Sequence, residues 1–483
     1  MRLDKWFYVV FSAVLFAGCT VGPAYQRPVA ELPAAWRGVP AQGIAAGGGR
    51  WWALYADPAL DRLVEEALAH NQDLALAAAR VDEARALLRI ADAELVPAVD
   101  AAAQRDRSRS SARSSLPLPP GVPLERNSYR AQLDVAYEID LWGRLRGASA
   151  AARAELLATQ AARETVRIAL ITDVARSYFA LLALDAQTDA TRRSLTLRED
   201  NLGLQKVRHD AGLIGDFDLR QLEAEVAAAR AQLPALENNR TAQELALAVL
   251  LGRSPRAITE DAVARSPDRG EPPAPAVPEG LPSGLLLRRP DIVEAEQRLV
   301  AANARIGVAR AALFPRISLT GYLGSESAAL GDLFSGPARI WQLAFALSQP
   351  IFQGGRLFGE IEAVQARERQ ALAQYQKTLQ EAFREVRQAL TAQARAREVF
   401  EAEGARALSL REALRLARIR YENGLVSQLE VLDAERNLLA AELNRADALR
   451  AQRAAVADLV KALGGGWDAR QSSKPPVDAD KRG

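Results

Sequence analysis

Two stretches of the chain carry a helical pattern of unusual length. Residues 144–211 and 356–423 contain no proline and consist largely of good helix formers. At 1.5 Å per residue, each would form a helix of about 100 Å if it were continuous. Neither contains the run of about 18 apolar residues that a membrane-spanning helix needs. They therefore predict the wall of a coiled coil or of a helical barrel.

A second helical stretch follows each long one, after a glycine turn at Gly212 or Gly424. Behind Gly212, apolar residues alternate in steps of three and four and form a heptad seam: Leu219, Leu222, Val226, Ala229, Leu233 and Leu236. Pro234 should kink this helix. Behind Gly424, Ser427 and Glu430 have the spacing of a capping box. Each pair of stretches predicts an antiparallel helical hairpin.

Other segments alternate with a period of two. From Ser128 to Trp142 the odd positions are apolar or amphipathic, while the even positions are largely polar. The segment from Trp341 to Ser348 alternates similarly, and residues 317–323 and 99–103 do so more weakly. Such a strand has either lipid on one face and water on the other, or one face buried in a water-soluble sheet.

Four strands are too few to close a membrane barrel, since the smallest closed barrels have about eight. Open sheet edges do not persist in lipid, because their backbone groups would lack hydrogen-bond partners. If the strands lie in a membrane, they must be pooled across subunits. Three chains with twelve strands are the natural closed solution, and the sequence also permits four chains.

Matching segments show that the chain contains a tandem duplication. Residues 207–214 match 419–426 at an offset of 212, and the glycines Gly143 and Gly252 match Gly355 and Gly464 at the same offset. An earlier block, residues 73–97, matches residues 291–315 at an offset of 218. Chance similarity between helical sequences would not preserve the glycine and proline positions.

These patterns divide the chain into six parts. They are a lipoprotein signal peptide (1–18), a lipidated extended N-terminal segment (19–56), repeat 1 (57–252), a proline-rich linker or equatorial region (253–285), repeat 2 (286–465) and a disordered tail (466–483). Each repeat is expected to contain a helix, two strands and a long helical hairpin.

The N-terminus has the pattern of an exported lipoprotein. Arg2 and Lys5 precede an apolar stretch, residues 6–16, which ends at Ala17-Gly18-Cys19. Residues 15–19 resemble the bacterial lipobox, in which the cysteine thiol receives a diacylglycerol. An ordinary signal peptide with an incidental cysteine is the alternative. Thr20 follows the cysteine where the sorting signal for inner-membrane retention would have Asp, which favours the outer membrane.

The composition argues against several other classes of function. The net charge is +2 and the basic residues are not clustered, so we expect no nucleic-acid binding. With only His70, His209, one Cys and one Met, the chain lacks the side chains for a transition-metal site or a cysteine protease. Possible acids and nucleophiles are scattered without a motif, so we expect no enzyme and no cofactor beyond the lipid on Cys19.

Three sequence blocks carry a family resemblance: residues 51–63, residues 309–315 and, most specifically, the block 288–299 that begins Arg-Arg-Pro-Asp. They resemble the NodT/OprM-type outer-membrane lipoprotein factors of tripartite efflux pumps, relatives of TolC. The resemblance implies a mainly α-helical homotrimer whose two tandem repeats per chain supply a 12-stranded β-barrel in the outer membrane of a Gram-negative bacterium. A periplasmic α-helical barrel would continue it, in contact with a periplasmic adaptor protein and an inner-membrane transporter of the resistance-nodulation-division (RND) class.

The resemblance also implies a gate at the periplasmic end of a passive exit duct for drugs or other small molecules. By this match Leu429 forms an apolar ring, Asp433 and Arg436 pair between or within subunits, and Tyr421 is a hydrogen-bonding latch. The alternative for Asp433 and Arg436 is an ordinary surface pair worth a few tenths of a kcal/mol.

The turns of the two hairpins resemble the motif that docks the adaptor, with Gly212-Leu213 in the first copy and Gly424-Leu425 in the second. The alternative is that the glycines only permit the turn. The first copy departs from the gate pattern at Asp216, Phe217 and Arg220, where the second copy has Gln428, Leu429 and Leu432.

Other functions remain compatible with the sequence. The chain could be an exit duct for type I protein secretion or for metal efflux, although the scarcity of Met and His does not support a metal-binding lumen. A lipid-anchored periplasmic coiled-coil scaffold without a pore is a further alternative.

Overall fold

A computed structural model describes residues 21–29, 50–113, 119, 121–260, 262–265 and 287–465. The predicted signal peptide, Cys19, most of the segment 19–56, the proline-rich part of the linker and the tail 466–483 lie outside the described residues. Contacts divide the chain into two compact units. One comprises residues 1–29, 80–160 and 294–376, and the other comprises residues 30–79, 161–293 and 377–483.

The described residues contain eight α-helices and four strands. In chain order they are α1 (Pro58–His70), α2 (Gln72–Ala93), β1 (Ala98–Arg109), β2 (Glu125–Glu138), α3 (Arg144–Asp210), α4 (Asp216–Leu250), α5 (Pro255–Glu260), α6 (Pro290–Ala311), β3 (Arg316–Ser327), β4 (Arg339–Ser348), α7 (Arg356–Glu422) and α8 (Gln428–Ala462). Short 3₁₀ turns lie at Trp51–Tyr55, Leu330–Asp332 and Gly336–Ala338. No helix among the described residues is both long and apolar enough to cross a membrane.

The duplication is confirmed element by element. Both ends of α3 and of α4 recur 212 residues later as the ends of α7 and α8, and both ends of α2 and β1 recur 218 residues later as those of α6 and β3. The offset falls from 218 to 212 across the strand hairpins, where both the strands and the connections between them differ in length; β4 has 10 residues and β2 has 14. Each long helix has 67 residues, in agreement with the sequence pattern.

An ion pair that joins the two helices of each hairpin recurs with its charges exchanged. In the first copy Arg230 on α4 contacts Glu199 on α3 at 2.6 Å. In the second copy Glu442 on α8 contacts Arg411 on α7 at 2.8 Å. The positions correspond at the offset of 212, so the two hairpins share one register although neither residue type is retained.

The residue before α2 and the one before α6 have the same structural role. The Asn71 side chain donates a hydrogen bond to the carbonyl of Leu250 at 2.9 Å, and the Arg289 side chain donates one to the carbonyl of Ala462 at 2.6 Å. Each bond satisfies the carbonyl of the last residue of a hairpin helix. Such a carbonyl receives no hydrogen bond from an N–H group of its own helix. Arg289 is buried and also pairs with Asp291 and Glu385. Arg289 and Asp291 of the Arg-Arg-Pro-Asp block therefore have a structural role, and the contact at the end of each hairpin is called the clamp below.

The strands form one antiparallel sheet in the order β1-β2-β3-β4. The register places Leu133 opposite both Ala101 and Leu323, and Leu323 opposite Trp341. Since directly opposed residues share a face of the sheet, the apolar odd positions of all four strands lie together. In the single chain this face is bare, and Trp341 is 76% exposed.

Several strand boundaries differ from the sequence prediction, most clearly the end of β2 and the end of β1. β2 ends at Glu138 instead of Trp142 because the following residues form the entry to α3. The Asp140 carboxylate accepts the backbone N–H groups of Leu145 and Arg146, and the Trp142 indole donates to the carbonyl of Pro315. β1 extends to Arg109 although its second half is polar, because it pairs with β2 along its whole length.

The predicted heptad seam of α4 is partly buried. Leu219, Leu222, Val226 and Ala229 are buried, whereas Leu233 and Leu236 are half-buried. The helix continues through Pro234, and the kink there stays a prediction.

The predicted capping box at the start of α8 is wrong. Ser427 occupies the N-cap position, but its side chain caps no backbone group. Glu430 lies near Arg420 of α7, with 3.8 Å between their charged atoms, so its carboxylate is directed across the turn.

The described part of the linker packs against the first repeat. It contains the short helix α5, and Val263 is buried beyond it. Arg265 then pairs with Asp185 at 2.7 Å and with Glu244 at 3.0 Å. These contacts hold the chain after the first repeat against both helices of the first hairpin.

Gly252→Ala should destabilise the protein by about 2 kcal/mol or more. Gly252 has φ +71°, and an added Cβ would lie 2.1 Å from the His70 carbonyl oxygen. Gly212→Ala is the matched control, since Gly212 has φ +70° with no atom within 4 Å of the added Cβ. It should cost only about 1 kcal/mol, the cost of the left-handed conformation. Thermal unfolding followed by circular dichroism compares them, and equal losses would contradict the close approach at Gly252.

Glu244→Gln should lower thermal stability at pH 7 and have a smaller effect in acid. Burial alone would raise the pKa of Glu244, but hydrogen bonds from Arg265 and from the N–H of Val263 outweigh it and hold the pKa below its usual 4.5. A carboxylate whose pKa is lowered on folding contributes stability above its unfolded pKa and loses it as the pH falls through the folded value.

The measurement is the difference in unfolding temperature between wild type and variant at pH 7 and near pH 3. Glu260→Gln, which removes the exposed pair with Arg256, should have little effect at either pH. A Glu244→Gln difference that does not shrink in acid would show that the charge is not its source.

Candidate functional site

The tips of the two hairpins share one backbone conformation. Gly424 has φ +73°, its N–H donates to the carbonyl of Tyr421 at 2.9 Å, and the N–H of Leu425 donates to that of Arg420 at 2.9 Å. The first tip repeats this at Gly212 and Leu213. This is the Schellman motif, which requires a left-handed residue after the helix. Each glycine is therefore needed for its turn, as the sequence suggested.

Each tip presents a leucine to solvent at its turn, and the first tip also exposes Phe217. Leu213 is 68% exposed and Leu425 is 70% exposed. No atom lies within 4 Å of a Cβ added at Gly212 or Gly424, so the surface around each turn is open. This geometry is compatible with docking of another protein, and that role stays a prediction for both glycine–leucine pairs.

One side-chain hydrogen bond closes each tip at corresponding positions. In the first copy His209 Nε2 lies 2.8 Å from Asp216 Oδ1. In the second copy the Tyr421 hydroxyl donates to Gln428 Oε1 at 2.6 Å. The first bond involves an ionisable pair and the second involves neutral groups, so the two copies close their tips by different chemistry.

Tyr421 also joins the two hairpins. Its hydroxyl oxygen accepts hydrogen bonds from Gln205 at 3.2 Å and from Arg208 at 3.0 Å, both on α3. Gln205 is buried, with 1% of its surface exposed. The structure thus places Tyr421 in a hydrogen-bond network that links the end of α3 to the start of α8, and its role as a latch stays a prediction.

Gln205 and Arg208 were not predicted from the sequence as partners of Tyr421. Arg208 lay within the matched segment 207–214, but a single sequence does not show which helix of the other hairpin it meets. The corresponding pairs His209–Asp216 and Tyr421–Gln428 could have been found by applying the offset of 212 to both sides of each turn.

The other three predicted gate residues share one stripe of α8. Leu429, Asp433 and Arg436 are spaced by four and three residues, which places them on one helix face. Leu429 is 48% exposed, and Arg436 Nη2 lies 2.6 Å from Asp433 Oδ1, with both side chains at least half exposed. Within one chain this is a surface pair of little energetic value. A gating role stays a prediction.

The described residues contain no group of three or more His, Cys, Asp or Glu side chains arranged to hold a metal ion.

Tyr421→Phe should loosen both hairpins at their tips. The variant removes the acceptor of Gln205 and Arg208 and the donor to Gln428, at a cost of about 1–3 kcal/mol for groups left without partners. Amide hydrogen exchange followed by mass spectrometry should rise both near residues 204–210 and near residues 428–432. His209→Phe is the matched control, because its exchange increase should stay within the first tip. Exchange that rises only around residue 421 would contradict the link between the hairpins.

Comparison with known proteins gives a consistent assignment. The family described as "Outer membrane efflux protein" matches residues 63–253 and 281–465. The chain is 38% identical to outer membrane protein OprJ of Pseudomonas aeruginosa over 95% of each sequence, and 38% identical to the toluene efflux pump outer membrane protein TtgI of Pseudomonas putida over 96% of this chain and 98% of that one.

Solved structures show the same fold. The crystal structure of the Campylobacter jejuni CmeC outer membrane channel superimposes with a TM-score of 0.86 at 26% identity, and the match covers 95% of this chain and 96% of that one. The duplicated strand and hairpin unit is thus the unit that this group of proteins shares. The chain belongs to the outer membrane efflux protein family and is an outer-membrane component of an efflux system.

Proposed function

We propose that three copies of this chain pool their strands into a closed 12-stranded barrel and serve as the passive exit duct of a tripartite efflux pump. The observation that supports this most strongly is the sheet itself. Its order leaves β1 and β4 as edge strands, and one face is both apolar and exposed. In lipid, edge strands need partners, and a second copy of the chain supplies them.

The height of the apolar face fits a membrane. The apolar rows run from Ile317 and Leu347 to Leu323 and Trp341, which are six residues apart along each strand. At about 3.4 Å per residue this is roughly 20 Å, close to the apolar band of outer-membrane barrels at about 25 Å.

The described N-terminal residues support a lipid anchor on Cys19. Asn303 on α6 donates to the Pro23 carbonyl at 2.9 Å, Arg27 pairs with Glu296 at 2.6 Å, and Gly22 packs against Gly307. Gly307 lies near the end of α6 that leads into β3. Three residues of chain span at most about 10 Å, so a lipid on Cys19 would stay close to the membrane end of α6.

The partners and the gate follow from the same proposal. An inner-membrane transporter of the RND class would supply the free energy, and a periplasmic adaptor would dock at the tips around Leu213 and Leu425. Leu429, Asp433 and Arg436 would occur three times around the axis, so a weak pair in one chain would act in triplicate. Tyr421 would latch the closed state. Small organic molecules are the proposed cargo, since TtgI is named for toluene efflux.

Asp433→Ala should raise the open-channel conductance or open probability of the purified protein severalfold in planar bilayers, because it frees Arg436 at the gate. Asp447→Ala is the matched control. Asp447 also pairs with an arginine three residues on along α8, Arg450, and should leave the channel unchanged. A wild type that is already fully open, or equal effects of both variants, would contradict the gate.

A scaffold without a pore predicts different results. It would show no conductance, and its mature Cys19→Ser variant would be water-soluble. We expect the Cys19→Ser variant to remain in washed outer membranes, because the barrel itself anchors the protein.

A further inference from the structure

The apolar face of the sheet becomes cationic towards the hairpin loops. Arg105, Arg107 and Arg109 on β1 have the same parity as the apolar residues Val99 and Ala101, so they continue the same face. Arg339 on β4 also lies on this face, opposite Ser325 and next to the Leu323–Trp341 row. Helices adjoin the opposite end of every strand, so the arginines lie at the end remote from the helices.

The charges on this end of the face are unbalanced. Beyond the apolar rows, Glu125 is the one acidic residue among the strand residues of this face. Its carboxylate forms ion pairs with both Arg107, at 2.9 Å, and Arg109, at 3.4 Å. Among the described residues, neither Arg105 nor Arg339 forms an ion pair. Arg105 instead lies over the Tyr129 ring, 5.5 Å from its centre.

At the loop end, the charges on the opposite face of the same strands are balanced. There Arg130 lies 3.9 Å from Glu326, and Arg126 and Asp106 add one charge of each sign. The excess of arginine is therefore a property of one face and not of the loop end as a whole.

A shallow apolar depression lies directly below the arginines. The small side chains of Ala101, Ala103 and Ala131 form its floor, and Leu323, Phe334 and Arg339 border it. Phe334 is 83% exposed, although it belongs to the connection between β3 and β4. An apolar depression with arginines at one end has the shape and polarity of a site for an acyl chain that ends in an anionic headgroup.

We propose that this face binds lipid A, the phosphorylated glycolipid of the outer leaflet, with an acyl chain in the depression and phosphates on Arg105 and Arg339. The inference rests on the proposed barrel, which places the apolar face towards lipid and the loop end in the outer leaflet. Guanidinium groups bind phosphate oxygens in a bidentate manner, and an aromatic border such as Trp341 and Tyr129 marks the membrane interface. Arg107 and Arg109 extend the cationic surface towards the headgroup sugars.

The test is native mass spectrometry of delipidated wild-type trimer titrated with lipid A or with phosphatidylglycerol. Each arginine near an anionic lipid contributes about fivefold in affinity, so Arg105→Gln combined with Arg339→Gln should weaken lipid A binding about twentyfold. Arg126→Gln combined with Arg130→Gln is the matched control on the opposite face and should bind as wild type does.

A second variant separates shape from charge. Ala131→Phe should fill the depression and weaken lipid A binding while it leaves every arginine in place. Wild type should bind lipid A at least several-fold more tightly than phosphatidylglycerol.

Single-channel conductance of each trimer shows which inference fails. If wild type conducts but the Arg105→Gln, Arg339→Gln variant binds lipid A as tightly as wild type, the lipid site is overturned and the channel stands. Equal binding of the two lipids by wild type would also overturn the lipid A assignment. Absence of conductance in wild type would overturn the proposed barrel and, with it, the lipid site.

Discussion

Backbone hydrogen bonding at the edges of a four-stranded sheet constrains the rest of the structure. In water the edge strands β1 and β4 could bond to solvent, but the sheet also exposes a continuous apolar face that water does not favour. Lipid would cover that face, but it would leave the backbone N–H and C=O groups of the edge strands without hydrogen-bond partners. Pairing with further copies of the same sheet satisfies both requirements.

The duplication gives one chain two similar units. Their residues differ at the ends and at the tips of the hairpins. The clamp at the hairpin ends is retained by different residues, Asn71 in one copy and Arg289 in the other. The tips diverged further. The histidine–carboxylate bond of the first tip joins two residues of the same hairpin, while Tyr421 in the second tip also bonds to α3 of the other hairpin. A change at Tyr421 is therefore expected to affect both hairpins.

Much of this fold could be predicted from periodicity. The ends of the long helices, the glycine turns and the apolar face of the sheet depend on local spacing, and the structure agrees with each. The second half of β1 was missed because Gln104 to Arg109 lack apolar alternation, and only pairing with β2 makes them a strand. The capping box failed because Glu430 is drawn to Arg420, a contact across a turn that sequence spacing does not show. Gln205 was missed for the same reason, since its partner Tyr421 lies 216 residues away.

Disulfide cross-linking between the two edge strands tests the pooled barrel most directly. Within one chain β1 and β4 are three strands apart, about 14 Å, which is too far for a disulfide. A cysteine at Ala102 combined in turn with one at Ala344, Ala346 or Ser348 samples the possible registers between neighbouring chains. The account predicts covalent dimers and trimers, without larger species, for at least one combination in the membrane. Monomers alone in every combination would contradict it.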